Sequence, residues 1–194
     1  MATTAALALA SRTGDVQRWD DALERIVGRH RPLLARAARI GTLPGESYLH
    51  PTVGAVIALT ILGRRRGGMR RILVPMAAAS LGAIVAHHAV KVVYRRRRPA
   101  IALRHGKYEP AFPSGHTADA TAVLATGAYL LVREGLLSAG VAIPLASALA
   151  MGTGVSRVAL GWHWGSDVIG GWFTGLGVAA ECAIAYERLV NGES

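Results

Sequence analysis

Two side chains near the carboxyl-terminal third of the chain have the types and spacing of a nucleophile and its orienting partner. His163 and Asp167 are four positions apart, which brings them together on one helical face or across the first turn of a helix. A carboxylate beside one imidazole nitrogen fixes the tautomer and leaves the other nitrogen free to attack. His163 is therefore predicted to be a nucleophile that Asp167 orients.

A second histidine lies where an anion would be held. His116 follows Ser114 and Gly115 at a predicted helix start. Unpaired backbone N–H groups and the helix dipole favour negative charge at such a start. A histidine at this point is well placed to protonate a leaving oxygen, so His116 is predicted to be the general acid.

Three basic residues accompany these histidines, namely Lys91, Arg98 and Arg157. Three cations are enough to neutralise a phosphoryl group, whose charge is spread over its equatorial oxygens. A magnesium site would need grouped carboxylates, yet Asp167 is the only acid in these clusters. The sequence therefore predicts a site without a metal or another cofactor.

Long apolar segments must position these residues. Three windows contain no Asp, Glu, Lys or Arg, and two more contain a single acid each: residues 47–63, 72–90, 135–156, 116–132 and 168–186. A helix needs about 17 to 25 such residues to cross the hydrocarbon layer. Five of them in 194 residues leave too little polar chain to cover a soluble core. We predict an all-α, integral membrane helical bundle with about five transmembrane helices.

The composition fits one membrane-embedded domain over residues 1–194, with an N-terminal arm at 1–45 and a transmembrane core at 47–187. The formal charge of +10 would by itself suit nucleic acid, an anionic membrane surface or a phosphorylated substrate. The apolar windows favour the membrane and a lipid substrate, and nucleic acid is not an expected partner. Oligomeric state is not predicted.

Residues 19–43 alternate apolar and charged side chains at helical spacing. We predict an amphipathic interfacial helix lying on the membrane. The same pattern fits a cap helix that packs on its own protein, and this alternative stays open.

Alternating helix directions would bring the chemical groups to one membrane face. The second helix should run from about Ile72 to Arg98, because Pro99 stops it. The third should start near Ser114, after a loop at 100–113, and the fifth near Asp167, after a connection at 156–166. The arginine-rich turn at 63–71 would then lie on the opposite face, and such short loops usually stay in the cytoplasm.

Three linked motifs resemble a known family. Lys91-x6-Arg98-Pro99, Pro113-Ser114-Gly115-His116 and Ser156-Arg157-x5-His163-x3-Asp167 are similar in order and spacing to the signature of the type 2 phosphatidic acid phosphatase superfamily. The resemblance implies that His163 is the nucleophile, Asp167 its partner and His116 the general acid. It also implies that five residues bind the phosphoryl oxygens: Lys91, Arg98, Ser114, Gly115 and Arg157. Membrane members of the family usually have six spanning helices, and their site faces the extracytoplasmic side of the cell membrane.

The resulting hypothesis is a metal-independent lipid phosphatase that forms a phosphohistidine. Phosphatidic acid, phosphatidylglycerol phosphate, a polyprenyl diphosphate and a polyprenyl-phosphate sugar phosphate all fit as substrates, with a weak preference for polyprenyl carriers. The alternatives are a vanadium haloperoxidase-like enzyme, whose relatives are larger and soluble, and a non-catalytic lipid-binding membrane protein.

Several polar residues near the motifs have two interpretations each. Arg95, Arg96 and Arg97 could hold a second phosphate, but solvated contacts to lipid headgroups are favoured. His87 and His88 could approach the site, although hydrogen bonds between helices are favoured. Asp119 could raise the proton affinity of His116 or make a polar contact between helices.

Overall fold

The computed structural model describes residues 14–64 and 68–192, and within these ranges the regular structure is helical throughout. The all-α prediction is thus confirmed. The elements are α1 (Gly14–Gly41), a 3-10 turn (Leu43–Gly45), α2 (Leu49–Arg64), α3 (Met69–Tyr94), α4 (Ala100–Arg104), α5 (Gly115–Arg133), α6 (Ala139–Ala159) and α7 (Gly165–Gly192). Residues 1–13 of the predicted arm and residues 65–67 of the arginine-rich turn lie outside the described residues.

Three of the described helices are long and apolar enough to cross a membrane: α3, α6 and α7. The helix α2 is apolar but has only 16 residues. The 19-residue α5 packs against α2, α3, α6 and α7, and most of its side chains are buried. A membrane helical bundle is therefore established, while the count of five crossing helices stays a prediction.

Small residues let α7 approach the central helix closely. Gly171 faces the backbone of α5, and a Cβ atom added there would lie 2.8 Å from the carbonyl oxygen of Ser114. Gly175, one turn later, is equally close to Ala118 and Thr121. Close backbone contact of this kind drives helix association in membranes. It fixes the start of α5 against the start of α7.

The second spanning helix ends earlier than predicted. α3 stops at Tyr94, and Arg95 adopts a left-handed conformation with φ 36°. The prediction that the helix runs to Arg98 is wrong, because the chain is already extended before Pro99. Side chains alternate in an extended segment, so Arg96 and Arg98 point into the protein while Arg95 and Arg97 are exposed. The loop at 100–113 also contains a short helix, α4.

The N-terminal helix α1 packs on the protein. It contacts α6 and the start of α7, where Trp19 and Leu23 lie against Gly165. Several apolar side chains on its other side, including Leu33, remain exposed. One side of α1 therefore packs on the protein, as the cap-helix alternative predicted. Contact of the other side with lipid stays a prediction.

The two ends of the bundle differ. The starts of α5 and α7 and the ends of α3 and α6 lie together, as the alternating directions require. At the opposite end Glu134 accepts hydrogen bonds from Tyr186 at 2.7 Å and from Arg71 at 3.1 Å. This buried cluster ties α3, α5 and α7 together away from the chemical groups.

Candidate active site

A cavity of about 1030 Å³ opens at the end of the bundle where the motifs meet. Six of the eight residues predicted for the site line it: Lys91, Arg98, Gly115, His116, Arg157 and His163. The other two, Ser114 and Asp167, are fully buried behind the lining. The cavity wall is strongly basic, because it also includes Arg95, Arg96, Arg97 and Lys107 against the acids Glu46, Glu109 and Asp119.

His163 lies in the connection before α7, and Asp167 lies in the first turn of that helix. Nδ1 of His163 is 3.4 Å from Oδ2 of Asp167. The same oxygen accepts a hydrogen bond of 2.9 Å from the backbone N–H of Trp164. The pair thus meets across the start of a helix, and the carboxylate is fixed independently of the imidazole.

The other nitrogen of His163 faces the cavity cations. Nη1 of Arg98 lies 3.1 Å from Nε2 of His163 and also donates to the carbonyl of Trp162 at 2.9 Å. Arginine has no acceptor, so Nε2 carries the lone pair and Nδ1 the proton. Burial, followed by the nearby cations Arg98, Arg157 and Lys91, lowers the pKa of His163 well below its ordinary value. The ring is therefore neutral, with the nitrogen that can attack turned to the cavity.

His116 also lines the cavity, at the start of α5. Its Nε2 lies 3.3 Å from Oε1 of Glu46, and both side chains are about one quarter exposed. The backbone of His116 packs directly on Gly45 of the 3-10 turn. A partly exposed imidazole beside a carboxylate can exchange protons with a bound group. Sequence reasoning did not identify Glu46, which belongs to none of the three motifs.

Arg157 is buried in the last turn of α6, so this turn belongs to the helix and not to the connection predicted at 156–166. Its Nη1 donates to Oγ1 of Thr42 at 2.5 Å, and its guanidinium lies 4.3 Å from the ring centre of Trp162. Both contacts orient a planar group that can bind an oxyanion through its remaining N–H groups.

Ser114 and Gly115 begin α5 in close contact with other elements. The N–H of Ser114 donates to the carbonyl of Asp167 at 2.9 Å, and its hydroxyl accepts from Thr117 at 2.9 Å. Gly115 lies against the ring of His87, because an added Cβ would be 3.1 Å from that ring. These residues hold the starts of α5 and α7 in register. The hydroxyl of Ser114 does not line the cavity, and its phosphate-binding role stays a prediction.

Arg96 has a different place from the one expected. Instead of solvated contacts to headgroups, its Nη1 donates to Oδ1 of Asp167 at 2.8 Å, and its Nη2 donates to Oδ2 of Asp20 at 2.7 Å. Asp20, a charged residue of the amphipathic segment 19–43, is only 1% exposed. The extended residues before Pro99 could have indicated that Arg96 and Arg98 share one side. No pattern in the sequence pairs Asp20 with either of them.

His87 and Asp119 form a polar contact between α3 and α5, with His87 Nε2 3.4 Å from Asp119 Oδ1. His87 also stacks on His88, with ring centres 4.3 Å apart. Within residues 14–64 and 68–192, no group of three or more His, Cys, Asp or Glu side chains is arranged to hold a metal ion.

Comparisons with known proteins identify a family and two similar proteins. A family model described as the PAP2 superfamily matches residues 72–190. Phosphatidylglycerophosphatase B from Bacillus subtilis (strain 168) is 31% identical over 176 residues, which cover 88% of this chain and 84% of the relative. The crystal structure of a transmembrane PAP2 type phosphatidylglycerolphosphate phosphatase from Bacillus subtilis superposes with a TM-score of 0.83 at 27% identity, and covers 96% of this chain and 92% of that one.

Proposed function

Since this chain belongs to the PAP2 superfamily and is a membrane phosphatase of that type, we propose that it hydrolyses a lipid phosphate through a phosphohistidine on His163. The observation that carries the proposal is the orientation of His163. Its Nδ1 faces a buried carboxylate while its Nε2 faces a basic cavity that also contains His116.

In the first step, Nε2 of His163 attacks phosphorus and the bond between phosphorus and the lipid oxygen breaks. Protonated His116 gives its proton to that oxygen, so the lipid leaves as an alcohol or, from a diphosphate, as a lipid phosphate. Asp167 stabilises the positive charge that develops on the imidazole. The product of the step is a phosphohistidine with a neutral His116.

In the second step, water attacks the phosphohistidine and the bond between phosphorus and nitrogen breaks. His116 takes a proton from the attacking water, and His163 returns to its neutral form. Inorganic phosphate then leaves, and His116 is again protonated for the next cycle.

The basic side chains supply the electrostatic stabilisation in this mechanism. Lys91, Arg98 and Arg157 surround the position of the phosphoryl oxygens, and no metal ion is required by the proposal. Arg98 has to exchange its contact with Nε2 of His163 for a contact with the substrate. This exchange frees the nucleophile only when an anion is bound, and it couples binding to reactivity.

Phosphatidylglycerol phosphate is the first substrate to test, because the two relatives from Bacillus subtilis are named for its hydrolysis. Those names give no support to the weak preference for polyprenyl carriers. We further propose that the site of this single domain faces the extracytoplasmic side of the plasma membrane. The support is that Arg70 and Arg71 lie at the opposite end of the bundle from the cavity, and cytoplasmic loops are rich in arginine.

The decisive experiment compares the wild-type protein with His163→Ala in detergent or vesicles. Phosphate release is measured from phosphatidylglycerol phosphate, phosphatidic acid and a polyprenyl diphosphate, with and without a chelator. We expect release by the wild type that resists the chelator and is inhibited by orthovanadate, and none by the folded variant. Acid-labile phosphate on the wild type would identify the intermediate. Full activity of His163→Ala would refute the mechanism, and halide oxidation in the presence of vanadate would favour a haloperoxidase.

A further inference from the structure

We propose that Asp20 of the N-terminal helix and Arg96 are positioning residues, which hold the Asp167 carboxylate and through it the His163 imidazole. This inference rests on the proposed function, since it assigns a role in the same reaction. It makes α1 a part of the active site, although the helix lies outside the three motifs and outside the region matched by the family model.

Asp167, the partner of the proposed nucleophile, has no exposed surface. A carboxylate this deeply buried remains ionised only if cations or hydrogen-bond donors compensate it. Its Oδ2 accepts the N–H of Trp164 and lies 3.4 Å from Nδ1 of His163, and its Oδ1 accepts from Nη1 of Arg96. Arg96 therefore supplies the charged hydrogen bond to the carboxylate that orients the nucleophile.

Asp20 is buried, whereas Asp15 and Arg18 of the same helix are exposed. Its Oδ1 accepts the backbone N–H of Ser166 at 3.0 Å, and its Oδ2 accepts the Ser166 hydroxyl at 2.6 Å and Nη2 of Arg96 at 2.7 Å. Ser166 is in the first turn of α7, so Asp20 caps this helix from another part of the chain. Burial of a charge is costly, and here it is compensated at a point one residue from Asp167.

The planar guanidinium of Arg96 contacts four side chains. Arg96 donates through Nη1 to Asp167 and Ser166 and through Nη2 to Asp20 and Gln17. A planar fork can bridge two carboxylates in a fixed geometry, whereas a lysine ammonium cannot span the same four acceptors as rigidly. Rotation of Asp167 would break contacts on both sides of this bridge. The N-terminal helix thus fixes the rotamer of the carboxylate.

The charged groups around Asp167 determine in which direction a substitution shifts the acid limb of the pH profile of kcat/KM. The nearest charged groups are Arg96 and Arg98 before α4, Lys91 of α3, Asp20 of α1, and His163 beside it. Of the other packed helices, α5 brings His116 and α6 brings Arg157 to the same cavity. Loss of the Arg96 charge favours protonation of Asp167, which moves the acid limb of kcat/KM to higher pH. Loss of the Asp20 charge has the opposite electrostatic effect and moves this limb to lower pH.

The test uses the full chain in detergent with phosphatidylglycerol phosphate, in four variants beside the wild type and His163→Ala. For Arg96→Gln we expect kcat to fall about 10- to 100-fold with little change in KM, because a misplaced catalytic group costs about that much. Arg96→Lys should recover part of kcat, and Asp20→Asn should lower kcat by about tenfold. The matched control Asp15→Asn changes an exposed aspartate of the same helix and should leave kcat unchanged.

Wild-type kcat and an unshifted acid limb in both Arg96→Gln and Asp20→Asn would overturn the inference. The inference would also be overturned if the acid limbs of both variants shifted in the same direction. A merely structural role of the two residues would not shift them in opposite directions. If Arg96→Gln does not fold, the isosteric Asp20→Asn and the charge-retaining Arg96→Lys still test the inference. Size-exclusion chromatography of each variant checks that it is folded.

Failure of the proposed function would look different, because the wild type and His163→Ala would then release phosphate at the same rate. In that event the rise in thermal midpoint with orthovanadate measures the oxyanion site directly. The inference requires a smaller rise in Arg96→Gln and Asp20→Asn than in the wild type and Asp15→Asn. Equal rises in all of them would overturn it, and no rise in the wild type would overturn it together with the proposed function.

Discussion

Gly171→Ala tests how finely helix packing sets the geometry of the site. A Cβ at this position would lie 2.8 Å from the carbonyl oxygen of Ser114 and 2.8 Å from Cβ of Thr117. Ordinary van der Waals contact begins at 3.4 Å. One of the two atoms belongs to the backbone, so the start of α5 and the start of α7 must separate by about half an ångström.

The size of the effect follows from this displacement. Overpacking costs about 1 to 3 kcal/mol, and the helix preference of alanine over glycine returns up to about 1 kcal/mol. With the full gain subtracted, the net loss of stability is about 0 to 2 kcal/mol. A misplacement of 1 Å costs about 100-fold in rate, so half that distance should cost about tenfold in kcat. His116 moves with α5, while Asp167 stays with α7.

The assay measures kcat for phosphate release and the thermal midpoint in detergent. Gly82→Ala is the matched control, because its Cβ would meet only the Val178 side chain, at 3.4 Å. This control should keep wild-type kcat and an equal or higher midpoint. Wild-type kcat in Gly171→Ala would refute the reasoning, as would an equal loss in the control.

Three further predictions concern the cations, the acidity and the far end of the bundle. Arg157→Lys removes a planar donor that forms a hydrogen bond of 2.5 Å to Thr42, so kcat/KM should fall by about 10- to 100-fold in phosphate-release assays. An unchanged kcat/KM would contradict the proposed role of Arg157 in binding the phosphoryl oxygens. Burial and nearby cations lower the pKa of His163 well below its ordinary range, while the unfolded chain binds this proton near pH 6.5. The stability of the fold should therefore decrease as the pH drops below about 6.5, and in His163→Asn the thermal midpoint should decrease less over the same pH range. The same pH dependence in the variant and the wild type would contradict this prediction. Glu134→Gln weakens the buried hydrogen bond from Tyr186 at 2.7 Å, and it should cost about 1 to 3 kcal/mol of stability with kcat unchanged, since the cluster lies far from the cavity.

Arg98 contacts both the proposed nucleophile and a backbone carbonyl. Its guanidinium touches Nε2 of His163 at 3.1 Å and is held by the carbonyl of Glu109 at 2.8 Å. An arginine held by a backbone carbonyl keeps its position when its other contact changes. The proposed exchange therefore requires only a small rotation, and the oxyanion replaces the lone pair of His163 as the acceptor.

Much of the fold and of the site could be predicted from the sequence. Charge-free windows predicted apolar helices because a backbone in lipid must satisfy its own hydrogen bonds. Alternation of helix direction predicted that His116 and His163 meet at one end of the bundle, and both line one cavity. These predictions depend on local composition and on chain order, which a sequence contains in full.

Other features were beyond such reasoning or were predicted wrongly. The end of α3 at Tyr94 was misplaced by four residues, because the left-handed conformation of Arg95 has no signal as strong as Pro99. The periodicity of residues 19–43 predicted that α1 is amphipathic but not what its apolar side contacts, since the same apolar stripe can pack on a membrane or on the protein.

The sequence by itself determined which side chains could do chemistry and which segments could carry them across a membrane. Only the tertiary structure decided that Asp20 reaches Ser166 across 146 positions of the chain, and that Arg96 bridges it to Asp167. The physical reason is that hydropathy and motif spacing are properties of neighbouring residues. A buried network is instead a property of distance in space, because a carboxylate accepts any donor that the packed helices bring within about 3 Å.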